Sequence, residues 1–312
     1  MKKFFFLCSL SAAFILHSCK KDNNSSTVDP NAKQHNEDVS NVKSESDASN
    51  NEINSYLAGI PTFGKNNNTL ASDICGATYD TTHLHDVIPT VYINFDGTTI
   101  CPNPNRKRSG QVKVELVSGT HWSDIGAQLR LTYTNFKVTF VDLSNHYITF
   151  NGVKYLTDVN GIDWIGVLLG TKTILLKERC NDMTVTFENG QTSQWLSART
   201  SEWGYNPTLS EIYTTVNADT TIDGKLLDSW GVNRYGQTFK TEMIQAWKSN
   251  TTCGWWRPTQ GIYKSETSSF SITATFGTNN TGTQITSGCA YGFKLEWAIT
   301  GGSSGNAVIG YW

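Results

Sequence analysis

From about residue 71 onward, apolar and polar residues alternate with a period of two. Val91, Ile93 and Phe95 alternate with Tyr92, Asn94 and Asp96, and Val112, Val114 and Leu116 with Gln111, Lys113 and Glu115. The same holds for Met183, Val185 and Phe187, for Phe270 to Phe276, and for Phe293 to Ile299. Strands with one buried and one wet face produce this pattern, and antiparallel sheets are where such strands occur. Between Leu129 and Val141 the apolar phase switches near Asn135, from Leu129, Leu131 and Tyr133 to Phe136, Val138 and Phe140, so a β-bulge is expected there. Asn151-Gly152, Asn160-Gly161, Asn189-Gly190 and Asp223-Gly224 suit type I′ hairpin turns. The expected fold is all-β: an antiparallel meander of about a dozen strands, closed as a sandwich, roll or partly open barrel. The only helix expected is a short one around Trp122 to Gln128.

The N-terminus reads as an address. Lys2 and Lys3 precede the apolar stretch Phe4 to Leu16, which is shorter than the roughly 20 residues needed to cross a bilayer and suits a signal peptide. Leu16-His17-Ser18-Cys19 resembles the bacterial lipobox, in which Cys19 would be acylated and become the first residue after cleavage; His17 departs from the small residue usual at its position. The charged segment Lys20-Lys21-Asp22 resembles the surface-export signal of Bacteroidota lipoproteins. Residues 20–70 are rich in Asn, Ser, Asp and Lys and poor in aromatics, a composition that reads as a flexible tether. Three segments are therefore expected: a lipoprotein signal at 1–18, lipidated Cys19 with a disordered tether at 19–70, and a β-domain at 71–312.

Charge and cysteine content narrow the picture. With 25 basic and 27 acidic residues, no global field favours nucleic acid. Cys75, Cys101, Cys180, Cys253 and Cys289 remain after the signal and lipid sites, an odd number for an oxidising compartment. The expected pairing is Cys253 with Cys289 and Cys75 with Cys101, leaving Cys180 as a free buried thiol. None has metal-site spacing, and no metal or cofactor is expected.

No HExxH, GxSxG, SxxK or phosphate-loop pattern occurs, so no catalytic residue is assigned. His83, His85 and Asp86 lie close in sequence but read as a polar stretch before a strand. Asp96, Glu178, Glu188, Glu202 and Glu211 are the acids available to a hydrolase, and the sequence does not separate them from solvated strand-face acids. Arg106-Lys107-Arg108 reads as the solvated lining of a tight loop, with anion binding as the alternative. The chain's ten Trp all follow residue 120. Trp195, Trp203, Trp230, Trp255 and Trp256 are the candidate platform for stacking on sugar rings, with core packing the competing role.

Several motifs together resemble a large family of Bacteroidota lipoproteins. Cys101 followed by Arg106-Lys107-Arg108-Ser109-Gly110 is similar to its "GC…GR.RKG" opening, and Thr132-Tyr133-Thr134-Asn135-Phe136 to its "TFDNY" strand. Gly231-Val232-Asn233-Arg234-Tyr235-Gly236 resembles its "G.NRNG" hairpin, and Cys253, Trp256, Phe276-Gly277 and Cys289 its "C.W…DFG.G.C" close, with Thr275 in place of the acid. The resemblance implies an all-β lipoprotein and supplies no activity. The expected function is a lipid-anchored outer-membrane or surface domain, structural or binding and not catalytic. Its partners would be the membrane through Cys19, and glycans or envelope proteins. A glycan-binding module and a carboxylate-based hydrolase are the alternatives.

Overall fold

The computed structural model describes residues 29–64, 73–102, 105–141, 146–254 and 257–311. Its strands are β1 (Ala77–Asp80), β2 (Thr90–Asp96), β3 (Arg106–Ser118), β4 (Gln128–Phe140), β5 (His146–Asp158), β6 (Ile174–Phe187), β7 (Thr192–Asn206), β8 (Glu211–Ala218), β9 (Thr220–Ile222), β10 (Lys225–Val232), β11 (Thr238–Asn250), β12 (Gln260–Glu266), β13 (Phe270–Thr278), β14 (Gly292–Ile299) and β15 (Ser304–Gly310). All belong to one antiparallel sheet in which successive strands are neighbours everywhere except between β8 and β9, the meander that the alternation implied. β8 and β10 follow each other between β7 and β11, pairing with both, and β9 folds out from between them as a hairpin with β10. This closes a small ring of pairings, β7–β8–β11–β10, in the middle of the sheet.

Long strands need a device to bend, and a row of bulges supplies it. The register shifts between Ser109 and Gln111 on β3, Tyr133 and Phe136 on β4, Val153 and Lys154 on β5, and Cys180 and Met183 on β6. These positions are cross-strand neighbours, so the local kinks add into one crease. Asn135, at the expected bulge, has φ 48°. Two glycines make the crease possible: a Cβ on Gly110 would stand 2.1 Å from the Asn135 carbonyl oxygen, and one on Gly152 2.1 Å from that of Asp182. Asn151-Gly152 therefore lies inside β5 and is not a hairpin turn, because Gly152 serves close backbone approach instead. Asn189-Gly190 and Asp223-Gly224 do form turns, between β6 and β7 and between β9 and β10.

The expected tether is corrected by the longest single element of the fold. Helix α1 (Pro30–Leu57) occupies its centre, opened by Asp29, whose carboxylate accepts from the Asn31 and Ala32 amides, and by Pro30 at the first helical position. Ala32, Val39, Val42, Ile53 and Leu57 fall within an arc of about 80° at 100° per residue, and all are buried in the same core as the inward strand residues. Lys33, Glu37 and Ser44 are exposed on the opposite side. The segment is polar because its flanks are occupied by partnered polar groups, not because it is unfolded. The expected helix at Trp122–Gln128 is absent; that segment is a turn that buries Trp122, while a second, short helix α2 (Trp164–Leu168) lies between β5 and β6.

Contacts along α1 pass across the strands. His35 reaches Ser265 on β12, Lys43 meets Asp228 on β10, Asn50 reaches Glu178 on β6, Ser49 reaches Tyr133 on β4, and Tyr56 stacks on Tyr79 of β1. The helix therefore lies across the concave face of the sheet. Outward positions of β4, such as Arg130, Thr132, Lys137 and Thr139, are polar. Two disulfides join Cys75 to Cys101 and Cys253 to Cys289, with Cα separations of 5.8 and 5.2 Å, and Cys180 is a buried free thiol. No helix among the described residues is long and apolar enough to cross a membrane.

Candidate functional site

The chemistry-bearing side chains converge on the seam between α1 and the sheet. One flank of the helix is an acidic edge, Asp38, Glu45 and Glu52, spaced seven residues apart so that each lies two turns after the last. Every one meets arginine. Arg234, in the β10–β11 turn, grips Asp38 with Nε to Oδ2 at 2.7 Å and Nη2 to Oδ1 at 2.6 Å. Arg106 Nε stands 3.3 Å from Glu45 and its Nη2 3.3 Å from Glu52, which Arg108 also binds. Burial pushes Asp38 up to about 6 despite Arg234, and pushes Glu45 up despite Arg106 and Arg108.

At the centre, Glu178 of β6 is fully enclosed. Its Oε1 accepts from Ser197 at 2.9 Å and from Arg199 Nη2 at 2.8 Å, while Oε2 accepts from Asn50 at 2.6 Å and from Ser46 at 3.3 Å. Lys154 of β5 donates to Ser46 Oγ at 3.0 Å and stands 3.6 Å from Glu178. Burial alone would raise the Glu178 pKa, but Arg199 and Lys154 hold it well below the usual carboxylate range. Arg199 also pairs with Asp47 at 2.9 Å. A cavity of about 20 Å³, bounded by Glu45, Ser46, Tyr133, Lys154, Cys180 and Trp195, has room for one water.

The other flank of α1 is equally committed. Asn36 Oδ1 accepts from the Tyr263 hydroxyl at 2.8 Å, and Asn54 Oδ1 from the Trp122 indole at 2.9 Å. Lys43 sits against Asp228, and burial pushes its amine below the ordinary lysine range. His35 is enclosed between Phe239 and Phe270 and is pushed down to about 4 by burial first and by Lys43 second. The arrangement ties a polar helix into a dry interior; its charges face one another instead of a cleft.

The residues singled out from sequence are dispersed. Trp195 is buried against Phe239, and Trp203, buried edge-on to Trp164, is likewise core, so neither offers a flat face to a sugar. Trp230 is half-buried on β10, and Trp255, Trp256 and Cys19 lie outside the described residues. The basic cluster is corrected: Arg106 and Arg108 are buried strand residues that bind internal carboxylates, and only Lys107 between them points outward. His83 and Asp86 form an exposed pair at 2.8 Å. Among the candidate acids, Glu178 belongs to the central cluster and Glu188 stands 3.4 Å from both His146 and Arg234. Asp96 caps the Thr98 and Thr99 amides, and no three His, Cys, Asp or Glu side chains among the described residues are grouped to hold a metal ion.

Sequence reasoning missed the α1 half of this seam. The signals were present: an Asp-Pro cap, 28 residues free of glycine beyond it, the narrow apolar arc and the heptad-spaced acids. No family model matches the chain, and no curated protein or solved structure matches it either.

Proposed function

We propose that the chain is a lipid-anchored outer-membrane or cell-surface β-domain that serves as a structural or binding scaffold and not as a catalyst. The observation that carries this reading is the position of α1: it fills the concave face of the sheet, where a substrate cleft would otherwise lie, and its charged groups are spent on internal pairs. The lipobox-like Leu16-His17-Ser18-Cys19 supports the anchor. With α1 folded into the domain, only residues 20–28 separate Cys19 from the helix cap, a span of at most about 35 Å. The scaffold would then sit close to the bilayer instead of on a long leash. Two or three acyl chains suffice for firm attachment, at about 0.8 kcal/mol per buried methylene.

Metabolic labelling with radioactive palmitate tests the anchor. Label is expected in the wild-type chain and lost from Cys19→Ala; label that persists in the variant would refute it. Affinity electrophoresis on immobilised polysaccharides tests the scaffold reading against the glycan module. No retardation is expected, and strong retardation abolished by Trp230→Ala would replace one reading with the other.

A further inference from the structure

We infer that Lys43 and Asp228 are joined by an intramolecular isopeptide bond, a covalent clasp between α1 and β10. Lys43 Nζ stands 2.5 Å from Asp228 Oδ2, with side-chain exposures of 2% and 1%. Charged N–H···O bonds span about 2.7–2.9 Å, and neither of these two atoms has an aligned hydrogen-bond partner. The amine therefore meets the carboxyl group in close contact but off the donor axis. In an amide with standard C–N and C=O lengths, nitrogen and oxygen are about 2.2–2.3 Å apart.

The surroundings suit the chemistry. Ser229 Oγ donates to Asp228 Oδ1 at 3.0 Å and fixes the carboxyl plane. The Tyr263 ring centroid lies 4.5 Å from Lys43 Nζ and keeps that side dry. Burial lowers the Lys43 pKa, which favours the neutral amine that a nucleophile must be. Asp47, one turn further along the same face of α1, is held by Arg199 at 2.9 Å. A second buried lysine among the described residues is an instructive contrast. Lys154 lies 3.6 Å from its carboxylate and has Ser46 Oγ and the Ser46 carbonyl as ordinary acceptors.

The step balances without an oxidant, metal or co-reactant. Within the ion pair a proton passes from the Lys43 ammonium to Asp228, the nitrogen lone pair then attacks Asp228 Cγ, and a C–N bond forms. One proton passes from nitrogen to the departing hydroxyl, the C–O bond breaks, and water leaves. Counted from the ammonium–carboxylate pair, the products are one amide and one water. Loss of both charges also removes the desolvation cost of an ion pair held in a dry interior.

Tryptic mapping of the reduced, denatured full-length chain tests the clasp. An acylated Lys43 resists trypsin, so Gln34–Lys65 should appear uncut at Lys43 and joined to Leu226–Arg234. The mass should equal the two peptides less one water, about 18 Da. Separate Gln34–Lys43, Ser44–Lys65 and Leu226–Arg234 peptides in the wild-type digest would overturn it, whether or not any variant folds. Lys43→Arg and Asp228→Ala should each release the peptides.

Discussion

Arg234 and Asp38 are 196 positions apart in sequence and share two parallel hydrogen bonds of 2.7 and 2.6 Å inside the protein. The guanidinium fork matches the carboxylate at both oxygens, a geometry that lysine does not reproduce. Removing one partner strands the other in the interior, at a cost of about 3–5 kcal/mol. Arg234→Ala should therefore lower the denaturation midpoint strongly, and Arg234→Lys should recover only part. A surface change such as Lys33→Ala, on the wet side of α1, should change the stability by less than about 0.5 kcal/mol.

Two neighbouring groups give opposite pH dependences. His35 is neutral in the fold, pushed from 6.5 down to about 4, whereas the unfolded chain takes up a proton at 6.5. Its contribution is whole above pH 6.5 and is lost as pH falls toward 4, about 3 kcal/mol in all. Asp38 works in the other sense: its pKa is raised from 3.8 to about 6, so its contribution is whole below 3.8 and lost as pH rises through 6. Urea midpoints measured from pH 4 to 8 should show His35→Gln gaining on the wild type as pH falls. Asp38→Asn should gain on it as pH rises. Parallel curves for all three proteins would contradict the burial of these groups.

The crease in the sheet makes a prediction about glycine. Gly110 has φ 90°, and an added Cβ would meet the Asn135 backbone at 2.1 Å. Gly110→Ala should cost at least about 1–3 kcal/mol and shift the β3–β4 register. Gly190 has φ 79° but nothing within 4 Å of an added Cβ, so Gly190→Ala should cost only the backbone strain, about 1 kcal/mol. Equal losses in the two variants would show that the crease is not built on close backbone approach.

Cys180 should be inert in the native protein. Burial pushes its thiol up to about 12, and it is enclosed between β5 and β7, with its sulfur near the Val153 and Trp195 carbonyls. Iodoacetamide should reach Cys180 only after denaturation without reductant. Rapid labelling of the folded chain would show that the core opens there.

The strands were legible because each inward row is apolar and each outward row polar, as in β4, where even the phase change at Asn135 marks the bulge. Asn151-Gly152 misled because the same dipeptide that suits a hairpin also suits a strand interior where two backbones nearly touch. α1 was illegible for a different reason. Composition arguments assume that polar residues face water, whereas Asp38, Glu45 and Glu52 face Arg234, Arg106 and Arg108. Those arginines lie more than 50 residues away in the chain, so neither half of the pairing is recognisable alone. The same blindness made Arg106-Lys107-Arg108 look like a wet loop and Glu178 like one acid among five.

Residues 30–57 form a core element of the fold and not a tether. Amide hydrogen exchange of the intact chain, read by mass spectrometry peptide by peptide, tests it most directly. Peptides from α1 should exchange as slowly as those from β4 and β6, with Val39 to Ile53 the most protected. Exchange across 30–57 at the rate of an unstructured chain, while the strands stay protected, would contradict the account.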